Sequence, residues 1–106
     1  MTPAQRYSEL ASAMKRSPGV RDLSEGKGFG SSGQLKVDGR IFAMLVRDEL
    51  VLKLPRPRVD ELVAAGEGTN FDAGKGRPMR EWFVLSSRSK REWLPLAKEA
   101  LAFVRG

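Results

Sequence analysis

Tyr7, Leu10, Ala11 and Met14 recur at helical spacing, which places them on one apolar stripe that must pack against another element. The start of that helix is written just upstream. Thr2 is placed to cap an orphan amide, Pro3 suits the first helical position, and Gln5 completes a capping box. Pro18-Gly19 forbids continuation, so the pattern predicts a helix over residues 3–16. The chain from Val20 to Gln34 is rich in Gly and Ser, which argues against a long regular element there. From Leu35 the period changes to two. Leu35-Lys36-Val37 alternates as a strand, Asp38-Gly39 is a two-residue hairpin signal, and Arg40 to Val46 forms the returning strand. Apolar residues fall on both faces of Ile41 to Val46, which suits a central strand. After a turn at Arg47-Asp48-Glu49, Leu50, Leu52 and Leu54 point to one side of a third strand, with Val51 and Lys53 on the other.

Pro55 and Pro57 stop that strand, and Pro57 begins a short helix over 57–65 with Val59, Leu62 and Val63 as its buried stripe. Gly66 is placed to end it in a left-handed cap. Residues 67–76 read as a loop with a short strand around Asn70-Phe71. Met79 to Leu85 then alternates as a strand, with Met79, Glu81, Phe83 and Leu85 opposite Arg80, Trp82 and Val84. Trp93, Leu96, Ala97, Ala100 and Val104 mark a last helix, placed at 91–104. Ser89 and Glu92 offer it a capping box, and Pro95 is tolerated best in its first turn. The order predicts an α+β fold, α-β3-α-β2-α, in two layers: an antiparallel sheet with the helices on one face.

At 106 residues the chain fits one domain, residues 1–106, with one modest core. With neither cysteine nor histidine, it has no disulfide, thiolate, imidazole base or Cys/His zinc site. No nucleophile–base pair is visible, so the expected class is non-enzymatic, with no cofactor. The longest apolar run, Ile41 to Val46, is far short of the roughly 20 residues of a membrane helix. Met1 to Leu10 carries polar residues where a secretory signal would be apolar, so no membrane association and a cytoplasmic location are expected.

Gly28-Phe29-Gly30-Ser31-Ser32-Gly33 matches G-x-G-x-x-G, but a dinucleotide loop must open a helix whose N-terminus holds the phosphate, and this one leads into a strand. A small-ligand-binding protein or enzyme using the glycine-rich loop, residues 26–33, is therefore the alternative reading. Gly74-Lys75-Gly76 lacks the Ser or Thr of a P-loop. Charge is more informative. The net charge is +6, and from Lys75 to Gly106 eight basic residues stand against Glu81, Glu92 and Glu99. Lys75, Arg77, Arg80, Arg88, Lys90 and Arg91 bracket one strand and the approach to the last helix, making them the candidate nucleic-acid contacts. A solvated basic face is the competing explanation. Trp93, on an amphipathic stripe, reads as core. Trp82 and Arg80 fall on the strand face turned away from the helices, a candidate surface for a partner protein or a homodimer.

Gly28-Phe29-Gly30 followed by Val37-Asp38-Gly39-Arg40-Ile41-Phe42-Ala43-Met44-Leu45 resembles the N-terminal domain of the TfoX (Sxy) family, in which an F-G-G segment precedes a D-G-x-x-F-A hairpin. The likeness continues through Leu52-Lys53, Ala64-Ala65-Gly66, Gly76-Arg77-Pro78-Met79 and the helix around Ala97 to Ala102. The hairpin and the tryptophan strand are also similar to the MmcQ/YjbR group. The resemblance implies the same α-β3-α-β2-α fold and a binding role in bacterial transcriptional regulation, through a protein partner or DNA.

Overall fold

A computed structural model describes residues 2–22, 34–71 and 79–106. Its elements are α1 (Pro3–Met14), β1 (Val20–Asp22), β2 (Gln34–Val37), β3 (Arg40–Val46), β4 (Glu49–Lys53), α2 (Arg56–Ala64), β5 (Gly68–Phe71), β6 (Met79–Leu85) and α3 (Trp93–Arg105). The class is α+β. The strands form one antiparallel sheet in the order β1-β2-β3-β4-β6-β5. One strand was not foreseen: β1 pairs its three residues with β2, so four strands rather than three precede α2. Gly19 (φ +84°) turns the chain back after α1 and makes this short edge pairing reachable.

Local sequence accounts for most boundaries. The Thr2 hydroxyl accepts from the Gln5 amide at 3.1 Å and the Gln5 side chain accepts from the Thr2 amide at 2.8 Å, so the capping box forms as read. At the end of α2, Gly66 takes φ +78°, while the Glu67 amide donates to the Leu62 carbonyl and the Gly66 amide to the Val63 carbonyl. This is the paired 6→1 and 5→2 pattern of a Schellman cap. Asp38 and Gly39 both have positive φ, the primed turn that matches strand twist. Arg47 and Asp48 adopt the same handedness without any glycine between β3 and β4.

The apolar residues on both faces of β3 have a specific cause. Leu35 pairs with Ala43 but Lys36 pairs with Ile41, so Phe42 is an extra residue in a β-bulge. The bulge turns both Phe42 and Ala43 inward, where each is fully buried, and leaves Ile41 and Met44 half-buried on the other side. Leu50 and Leu52 point inward from β4, Leu54 from just beyond it, and Phe83 and Leu85 from β6. Against them pack Tyr7, Leu10 and Met14 of α1, Val59 and Leu62 of α2, and Leu96, Ala97, Ala100, Leu101 and Val104 of α3, all in one cluster. The helix α3 lies over β2, β3 and β4, α2 lies over β5 and β6, and α1 packs on α3.

Arginines tie the helices together. Arg58 of α2 donates from Nε and Nη2 to the two carboxylate oxygens of Glu99 on α3, at 2.9 and 3.2 Å, and from Nη1 to Glu61. Hydrogen bonds donated to Glu99 first, then to Glu61, hold the Arg58 guanidinium above its ordinary pKa. At the far end of α3, Arg40 donates to the Val104 carbonyl and Arg105 to the Pro18 carbonyl.

Candidate nucleic-acid interface

The strand β6 delivers the chain at Ser86 beside the Schellman turn that ends α2, where the Ser86 amide donates to the Glu67 carbonyl at 2.9 Å. From there two serines wind the backbone. The Arg88 amide donates to Ser86 Oγ at 3.1 Å, the Arg91 amide to Ser89 Oγ at 3.2 Å, and the Ser89 amide to the Ser86 carbonyl at 3.0 Å. Such side-chain turns compete with helix formation. They explain why the expected capping box of Ser89 with Glu92 does not form: Ser89 is engaged locally, and α3 starts only at Trp93 with Glu92 as an uncapping N-cap. Pro95 stands in the first turn, where its missing amide costs nothing.

Glu67 fastens this loop. Its carboxylate accepts from the Ser89 hydroxyl at 2.7 Å and from Arg91 Nε at 3.0 Å. Those bonds, that of Ser89 first and then that of Arg91, hold the Glu67 carboxyl below its ordinary value of 4.5. A carboxyl depressed in the folded state contributes stability above its unfolded pKa, and the contribution is lost as pH falls through the folded value. Thermal melts of the wild type should therefore weaken below about pH 4.5 more steeply than those of Glu67→Gln, which keeps the shape without the charge. Parallel pH profiles for the two proteins would show that the clasp adds nothing.

Arg88, Lys90 and Arg91 surround one open hollow of about 500 Å³, together with Ser86, Ser89 and Glu67. Arg88 and Lys90 are exposed, whereas Arg91 gives part of its charge to Glu67. Three cations lining the hollow against one carboxylate leave a net positive concavity, with the Ser86 hydroxyl as a further donor, suited to phosphate oxygens. Arg80 is in β6, and Lys75, Arg77 and the glycine-rich loop 26–33 lie outside the described residues. The element that follows that loop is β2, a strand.

The two tryptophans part as their spacing suggested. Trp93 packs on the core cluster, and Arg6 of α1 stacks over its ring at 4.4 Å while reaching the Arg91 carbonyl. Trp82 lies outside that cluster, paired in register with Lys53, whose ammonium sits 5.6 Å from the ring centre. Sequence reasoning missed Glu67 altogether. The Gly66-Glu67-Gly68 run signalled a helix stop, yet nothing in it told which loop the carboxylate would meet. Among the described residues no helix is long and apolar enough to cross a membrane. Compared with family models, curated proteins and solved structures, the chain finds no match.

Proposed function

We propose that this chain is a non-enzymatic binding module that takes the phosphate backbone of nucleic acid on the loop of residues 86–91, in a role of transcriptional regulation as the likeness to TfoX N-terminal domains implies. The observation that carries the reading is the convergence of Arg88, Lys90 and Arg91 on one hollow with the Ser86 hydroxyl. Phosphate contacts of this kind position a protein without reading sequence, so preference among sequences is slight. Affinity comes mainly from counterion release and falls steeply as salt rises.

Fluorescence anisotropy with a labelled duplex, over a salt series starting near ~20 mM, tests this directly. Replacing Arg88, Lys90 and Arg91 together by Ala is expected to weaken binding at low salt at least about tenfold. The slope of log affinity against log salt should shrink by about 2 to 3, since each lost phosphate contact removes roughly 0.9. Absence of binding at low salt, or binding unchanged in the triple variant, would leave the cluster as a solvated face.

A further inference from the structure

Across the sheet, on the side turned away from the core cluster, one row of side chains carries positive charge that no ion pair among the described residues neutralises. Val20, Leu35, Val37, Leu52, Leu54 and Phe83 belong to the core or pack on it. Alternation therefore sends Arg21, Lys36, Lys53 and Trp82 to the opposite side. The register sets them in two neighbouring runs on this side: Arg21 pairs with Lys36 and Lys36 with Ile41, and Lys53 pairs with Trp82. Arg21 and Lys36 are thus like charges directly opposed on neighbouring strands, an arrangement that costs stability. Neither forms an ion pair among the described residues, nor does Lys53. Arg21 and Lys36 also line a hollow of about 460 Å³, with Asp38 of the hairpin turn at its side.

We infer that this row is a binding track for a single strand of nucleic acid, with phosphates on Arg21, Lys36 and Lys53 and an unpaired base on Trp82. Charge decides the class of partner. A second copy of this chain, itself at +6, would bring one uncompensated cationic row against another, whereas a phosphate strand relieves the repulsion between Arg21 and Lys36. Geometry decides its form. With strands about 4.8 Å apart, the row from β1 to β6 spans about 19 Å in a single file, the reach of one strand rather than two. The ring of Trp82 is faced by the movable ammonium of Lys53, which an unpaired base can displace. The bases of a duplex are stacked on both faces and have no ring to offer. Beside Lys36, half-buried Ile41 gives apolar contact to a further base, and half-buried Met44 extends that contact on the Gln34 and Val51 side.

The inference shares with the proposed function only the class of partner, since none of these residues belongs to the loop of residues 86–91. The test uses the full chain with fluorescein-labelled oligothymidylate of about 10 nucleotides and a hairpin duplex of the same length. The single strand is expected to bind at least about fivefold tighter than the hairpin. Replacing Arg21, Lys36 and Lys53 together by Ala should lower single-strand affinity more than about tenfold. The same change should reduce its salt slope by about 2, at roughly 0.7 per contact. Arg21→Ala alone should bind less tightly while melting at a higher temperature, a combination that loss of a structural residue does not produce. Quenching of tryptophan fluorescence by unlabelled oligothymidylate should disappear in Trp82→Phe, which retains Trp93. Equal or tighter hairpin binding, single-strand binding unchanged by the row variant, or quenching that survives Trp82→Phe would each overturn the track. If the variant of Arg88, Lys90 and Arg91 alone abolishes single-strand binding, the loop holds the strand and the track is likewise refuted.

Discussion

Gly68→Ala is expected to destabilise the protein by at least about 3 kcal/mol, the upper part of the range for forcing volume into a packed site. The cause is an approach between backbones. A methyl group on Gly68 would stand 1.9 Å from the Val84 carbonyl oxygen and under 3 Å from the edge of the Phe83 ring. Phe83 is fully buried, so its ring has no open direction in which to turn. Val84 pairs with Thr69 on one side and Val51 on the other, which fixes its carbonyl within the sheet. Relief must therefore come from moving β5 itself, at the cost of its ladder with β6 and of the packing of α2 above it. Hydrogen exchange should show early opening of residues 68–71, and thermal unfolding should occur at a markedly lower temperature. A variant that melts within 2 °C of the wild type, when about 4–8 °C per kcal/mol is expected for a chain of this size, would mean that β5 does not lie as close as described.

Phe42→Ala should be costlier still, about 3–5 kcal/mol, because a fully buried ring at the centre of the cluster leaves a cavity that its neighbours fill only in part. Against a total stability of 5–15 kcal/mol typical of natural domains, that is a large share. The melting temperature should fall by about 15–30 °C. The informative control is Ile41→Ala. Without the bulge, Ile41 would share the face of Ala43 and Phe42 would lie opposite. With it, Ile41 is half-buried on the outer side and its truncation should cost about 1 kcal/mol. A larger loss for Ile41 than for Phe42, measured by circular dichroism melts of both variants, would reverse the assigned register.

The clasp of Glu67 on Ser89 and Arg91 links the fold to the proposed interface. The same Schellman turn that stops α2 sets Glu67 against the loop, so a helix terminator also shapes the hollow that Arg88, Lys90 and Arg91 surround. The carboxylate lowers the net charge there while holding Arg91 in place, which in the proposed role favours reversible over tight phosphate binding.

By itself the sequence determined the elements whose cause is local. Thr2 and Gln5 wrote the start of α1, Asp38-Gly39 wrote the hairpin, Gly66 wrote the end of α2, and the alternation of β4 named its buried leucines, because capping, turn handedness and period each depend on a few neighbouring residues. Charge clustering marked Lys75, Arg77, Arg80, Arg88, Lys90 and Arg91 together, and it is the tertiary structure that sets Arg88, Lys90 and Arg91 around one hollow. Tertiary structure decided everything that depends on which segments become neighbours. The bulge that makes Phe42 core, the strand β1 at the sheet edge, the close approach at Gly68 and the attachment of Ser89 to Glu67 all depend on segments meeting across turns or longer stretches of chain. Serine shows the difference most clearly. The sequence offered Ser89 as a helix cap, but its oxygen accepts from the Arg91 amide in a local turn while its hydroxyl donates to the Glu67 carboxylate, delivered by another part of the chain. The row formed by Arg21, Lys36, Lys53 and Trp82 was invisible for the same reason, since those residues come from four strands and only pairing register sets Arg21 beside Lys36 and Lys53 beside Trp82.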